Sequence, residues 1–188
     1  MTQNNVGIYA SQISGHLWSP NGAYDALATV TVPSGGVASV EFSGIPQGYK
    51  HLQVRWMAKM SAAGQVTGIN LRLNNDSGAN YKRHALYGEG AAPSPYAVNG
   101  SDAWMGFIPR ADSANTFGVG ITDILDYAST TKNKTIRTLN GQDQNGSGNV
   151  GIFSTLYFAT PSAISSIIFY PDSANFTQYS TFALYGVK

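Results

Sequence analysis

The chain has 188 residues, enough for one domain with its own core, and no cysteine, which excludes a disulfide framework, a thiolate zinc site and a thiol nucleophile. Only 11% of residues are charged and the net charge is +1, with Lys and Arg scattered, so nothing would steer the chain onto nucleic acid or an acidic membrane. No apolar run approaches the ~18 residues of a membrane-spanning helix, and the N-terminus lacks the basic and apolar blocks of a signal peptide.

Residues 1–20 read as an N-terminal arm in which Ile8, Tyr9, Ile13, Leu17 and Trp18 supply apolar surface for docking, on the chain's own body or on a neighbouring subunit. Residues 21–188 read as a single β-domain. Segments 26–32 and 37–42 flank Pro33, Ser34, Gly35 and Gly36, which predicts a hairpin. In 50–59 the residues Leu52, Val54, Trp56 and Ala58 alternate with His51, Gln53, Arg55 and Met57. Segment 68–74 repeats the pattern, with Ile69, Leu71 and Leu73 inward and Asn70 and Arg72 outward. Further strands are predicted at 81–87, 103–108, 117–127, 134–141, 150–158, 163–170 and 179–187. Between the first two of these, residues 88–101 (GEGAAPSPYAVNGS) read as a long Pro- and Gly-rich loop exposing Tyr96. Residues 129–134 offer at most one helical turn, and no a/d heptads predict a coiled-coil stalk. Ten or so short strands with turn signals between them predict an all-β, antiparallel sandwich.

Constellations that would carry chemistry are thin. Asp143, Asn145, Ser147 and Asn149 alternate like ligands of a cation loop, but Asp143 is the only acid and no Glu follows, so a Gly- and Asn-rich hairpin turn is expected and no metal or cofactor is assigned. Asp123 and Asp126, three apart on a strand, point to opposite faces and cannot act as a glycosidase pair. His16, His51 and His84 show no metal spacing, and no Gly-x-Ser-x-Gly elbow is present. The stretch DSAN occurs at 112–115 and 172–175, with the near copy DSGAN at 76–80, each followed within two residues by Tyr81, Phe117 or Phe176. It reads as one strand-reversing corner used three times.

The segments IYASQISGHL (8–17), FSGIPQGYKHLQVR (42–55), NNDSGANYKRHAL (74–86), DILDYASTTKNKTIRTLNG (123–141) and YSTFALYGVK (179–188) resemble, in order, a family of tailed-bacteriophage virion proteins. The resemblance implies a jelly-roll-like β-sandwich, a structural or adhesive virion part that is often homotrimeric, and no catalytic residues. It casts Ile45, Pro46, Tyr49, Leu52, Tyr81, Asp126, Tyr127 and Tyr185 as strand, turn and core positions. The leading expectation is a non-enzymatic tail-fibre or tail-tip module, assembled in the host cytoplasm. Its arm would join other virion proteins, and Tyr96 and Tyr127 would meet a host-surface glycan. The alternative is a capsid decoration protein on the head lattice. A small carbohydrate-active enzyme is the rival of a different class.

Overall fold

The computed structural model describes residues 22–89, 92–144 and 148–188, so the predicted arm and its anchors Ile8, Tyr9, Ile13, Leu17 and Trp18 lie outside the described residues. The described residues form β1 (Tyr24–Thr31), β2 (Val40–Phe42), β3 (His51–Ala58), β4 (Val66–Leu73), β5 (Tyr81–Glu89), β6 (Ala92–Gly100), β7 (Ala103–Pro109), β8 (Gly118–Leu125), β9 (Lys134–Asp143), β10 (Gly148–Tyr157), β11 (Ile167–Pro171) and β12 (Thr181–Val187). They make two antiparallel sheets, one of eight strands in the order β1-β12-β3-β8-β9-β10-β5-β6 and one of four in the order β2-β11-β4-β7. Setting aside the β5-β6 and β9-β10 hairpins, β1-β12-β3-β8 faces β2-β11-β4-β7, the double Greek key of a jelly roll. The two hairpins then add four strands to one sheet only, which overhangs the other.

The core lies between the sheets. Leu52, Val54, Trp56 and Ala58 of β3 and Ile69, Leu71 and Leu73 of β4 all point into it, as their alternation predicts. Phe169, Phe176 and Phe182 pack there with ring centroids 5.0–5.3 Å apart. Asn70 departs from the prediction. It is buried on the outer side of β4 because the 172–175 corner folds over it, and its amide donates to Asp172 Oδ1 at 2.6 Å.

Two sequence expectations are corrected. Segments 26–32 and 37–42 do not pair with each other, because β1 joins β12 in the large sheet and β2 joins β11 in the small one. The Pro33–Gly36 stretch is a corner between sheets, closed by a 3.1 Å bond from Gly36 N–H to Pro33 O with positive φ at Gly35 and Gly36. Residues 88–89 and 92–100 are strand and not loop, since β5 and β6 pair from Tyr81↔Gly100 to Glu89↔Ala92. Proline is tolerated there because β6 is an edge strand, where Pro93 and Pro95 remove donors the sheet does not need and blunt the open edge. Residues 129–134 make a turn without helix, tied by the Nζ of buried Lys134, which donates to the carbonyls of Ser129 and Lys132. Burial holds this ammonium below its usual pKa.

The three DSAN-like corners are not copies of one device. Asp76 closes its own loop, accepting from Gly78 N–H at 2.7 Å and from Asn80 at 2.8 Å, whereas Asp112 and Asp172 reach across to the amides of Gly64 and Gly68, each at 2.8 Å. Positive φ falls on Asn74 and Asn75, on Asn115 and on Ala174 respectively, so Asn takes the left-handed position in two cases and Ala in one. Tyr81 and Phe176 are buried as expected, while Phe117 is half-buried. The Asp112 and Asp172 corners gather at the start of β4, and the Asp76 corner follows its far end.

Candidate functional site

In the middle of the large sheet the two faces carry the residue types opposite to those of an ordinary sandwich. On β8 the inward positions hold Gly118, Gly120, Thr122 and Ile124, and the outward ones Val119, Ile121 and Asp123. On β9, Lys134, Thr138, Asn140 and Gln142 join Ile136 inside while Leu139 faces out. On β10, Asn149, Gly151 and Thr155 join Phe153 and Tyr157 inside while Val150, Ile152 and Leu156 face out. Strand pairing aligns the outward residues in rows. One row runs Met57, Val119, Gly141, Val150, and the next runs Arg55, Ile121, Leu139, Ile152, Leu86. The apolar members Met57, Val119, Ile121, Leu139, Val150, Ile152 and Leu86 are 36% to 61% exposed and span five neighbouring strands. Because the side-chain period is two, one residue of slip would bury this set, so the outward placement is a choice of register.

The inward polar side chains hold that register. Trp56 Nε1 donates to Thr122 Oγ1 at 3.1 Å, and Thr122 shares a 2.9 Å bond with Thr138. Asn140 pins the overhang to the small sheet, accepting from Phe107 N–H at 2.8 Å and donating to the carbonyls of Phe107 and Val119. Gln142 donates to Asn149 at 2.8 Å beneath the β9-β10 turn, where the alternating oxygens suggested a cation loop; residues 145–147 of that turn lie outside the described residues. A slipped strand would break these bonds and leave polar atoms buried without partners.

The next row of the outer face is polar, and its one acid is paired within the chain. Asp123 accepts from Arg137 and from Gln53, both at 2.9 Å, and Arg55 donates to Gln53 at 3.0 Å with its guanidinium over the rings of Tyr24 and Tyr185. Asp126 is held by Lys132 at 2.8 Å, which lowers its pKa, and its N–H donates to His51 Nδ1. Asp123 and Asp126 thus each have their own cation.

No family model and no curated protein matches the chain. Among solved structures, the galectin LEC-6 of Caenorhabditis elegans is similar at 13% identity with a TM-score of 0.32, over 85% of this chain and 95% of that one.

Of the two tyrosines expected to face a sugar, Tyr127 is corrected. It is fully buried, burial pushes its phenol pKa up, and its hydroxyl donates to Pro46 O, so it is a core strut as the family resemblance itself implies. Tyr96 sits on edge strand β6 at 38% exposure, its ring meeting Trp104 edge-on at 5.1 Å. Trp104 also packs on Tyr87, Phe107 and Phe153, so Tyr96 caps the aromatic cluster that fills the overhang.

Sequence reasoning missed Tyr179. Ser180 N–H bonds Thr177 O at 3.2 Å, closing a turn whose third residue, Tyr179, has φ +71, a position that favours glycine. Its side chain is 64% exposed and lines an open depression with Phe117, Asn115, Thr177, Gln178 and Ser61, at the end of the sandwich where two DSAN corners gather. A bulky residue in the left-handed region costs about 1–2 kcal/mol, and glycine would return about 0.5–1 kcal/mol of that as unfolded-chain entropy. Tyr179→Gly is therefore expected to leave stability equal or raised by up to about 1 kcal/mol in urea unfolding. Tyr179→Ala, which keeps the strain, should not show the gain. A loss above 1 kcal/mol for the glycine variant would show that the ring serves the fold.

Proposed function

We propose that this chain is a non-enzymatic structural component of a tailed-phage virion, a tail-fibre or tail-tip module that works by burying surface against other proteins. The observation that carries this reading is the outer face of the large sheet, where an apolar set spans five strands while buried polar side chains occupy the inside. Such a sheet is built as the middle layer of something larger than one chain. Seven of the ten acids also support a structural role. Asp25, Asp102, Asp123 and Asp126 bond cations, and Asp76, Asp112 and Asp172 hold amides of turns and strands.

In this reading the virion part is a homotrimer, the arm of residues 1–20 joins it to other virion proteins, and the exposed end of the sandwich meets a host-surface glycan. Tyr179, with Asn115 and Gln178 beside it, suits that contact better than Tyr127, since an aromatic face among amides matches the apolar and hydroxyl faces of a sugar ring. A capsid decoration protein is the second reading, favoured by the broad eight-stranded face, which suits a lattice of identical neighbours. Quantitative mass spectrometry of purified particles tests both. A few copies per particle are expected; hundreds would move the protein to the head, and absence from particles would end the virion reading.

A further inference from the structure

We infer that the outer face of the eight-stranded sheet is the surface through which copies of this chain bind one another. The inference deepens the reading of that face as an interface and does not depend on the virion assignment.

Three observations select a second copy as the occupant. The first is size. Eight strands about 4.8 Å apart and at least seven residues long, at about 3.4 Å per residue, give a face of roughly 900 Å². A standard stable contact uses about 800 Å² on each partner. One such face therefore supplies one partner's share, with an apolar centre and a polar rim as interfaces have. The second is charge. Asp123 and Arg137 satisfy one another within the chain, and Arg55, the one charge left over, is held by Gln53 and over the rings of Tyr24 and Tyr185 at the side of the apolar set, so the centre of the face sets no charge against a copy of itself. A strongly charged partner would find only Arg55 to pair with in these rows. The third is relief. At Gly141 an outward Cβ would meet no atom within 4 Å, and its neighbours Val119, Val150 and Leu139 stand around it. The face therefore carries a dimple at Gly141 beside projecting Ile152 and Leu86, the knob and the hole that a copy of the same surface needs.

Sedimentation equilibrium of the full chain at micromolar concentration tests this. Because two identical faces close on each other, the expected mass is an even multiple of the 20.0 kDa protomer, two copies for this contact alone and six where it joins two of the proposed homotrimers. Gly141→Arg fills the dimple from a position where a Cβ meets no atom within 4 Å, and Leu139→Glu places a charge on a residue 56% exposed. Both are expected to keep the wild-type circular dichroism and to halve the assembled mass; Ile152→Lys, on the adjacent strand, repeats the test should either fail to fold. A wild-type protein that sediments as a protomer, or folded face variants that keep the assembled mass, would overturn the inference. So would a chain lacking residues 1–20 that falls to the protomer mass while the face variants stay assembled, because the arm would then carry the contact.

Discussion

Gly120→Ala is expected to lose about 3 kcal/mol of stability, at the upper end of what overpacking a core does, through a single methyl group. A Cβ at Gly120 would stand 2.2 Å from Trp56 Cζ2 and 2.4 Å from Cε2, well inside contact distance. The indole cannot simply swing away. It is 3% exposed, and Nε1 is tied to Thr122, itself bonded to Thr138. Rotating the ring would break that bond, and moving β8 would disturb its pairing with β3 and β9, on which the outer face depends. Urea unfolding should show the midpoint falling by roughly 1–3 M at an m-value typical of small proteins. Trp56→Leu in the same chain removes the obstruction. The double variant should be more stable than the sum of the single losses predicts, by about 1–3 kcal/mol of coupling. Additive losses would mean that the ring and the methyl do not compete, and would refute this account of β8.

The same strands show how far the sequence could be read. Alternation in β3 and β4 was legible because the apolar residues at every second position face the core and most opposite positions are polar, so pattern and burial agree except at Gln53 and Asn70, which are covered from outside the sandwich. In β8 to β10 alternation marks strands just as well but points the wrong way, since Val119, Ile121 and Leu139 are outside and Thr122, Thr138 and Asn140 inside. A signal was present. Glycine and threonine alternating with valine and isoleucine in GVGIT (118–122) are too small or polar for a core face, and noticing this would have placed the apolar set outside. The β5-β6 hairpin was missed because prolines read as breakers until the strand is known to be an edge, a tertiary fact. Tyr179 was missed because its interest lies in a dihedral, and nothing local to Gln178 or Tyr179 announces a turn that favours glycine. Tyr127 was assigned to the surface on residue type alone, which does not register that its hydroxyl has a partner 81 residues away.

Replacing Asp102 with Leu is expected to destabilise the protein by about 3–5 kcal/mol, because it leaves a charge buried without its partner. Asp102 leads into β7 at the point where the overhang meets the small sheet. Arg83 of β5 bonds one carboxylate oxygen, and Tyr170 of β11 donates to the other at 2.8 Å. Burial, together with that bond, holds the Tyr170 phenol well above its ordinary pKa, so it stays a donor throughout the working range. Arg72 lies over the Tyr170 ring at 4.8 Å and donates to Ser101 O, completing a polar seam between the sheets. The side chains of Arg83 and Asp102 are 18% and 10% exposed, so solvent screens the pair only partly. Without the Asp102 carboxylate the guanidinium keeps its 2.8 Å bond to the backbone carbonyl of residue 102. The pair itself need not be strongly stabilising, and this separates two explanations. If the loss comes from an unpaired buried charge, adding Arg83→Met should recover most of it, since an apolar pair can replace a buried ion pair at little net cost. If Asp102 acts mainly as a brace through Tyr170, the second substitution recovers nothing and Tyr170→Phe alone reproduces the loss. Denaturant midpoints for the four proteins distinguish these outcomes. Hydrogen exchange should show protection falling first in β5 and β6, which this seam fastens to the jelly roll, while β3 and β12 keep theirs.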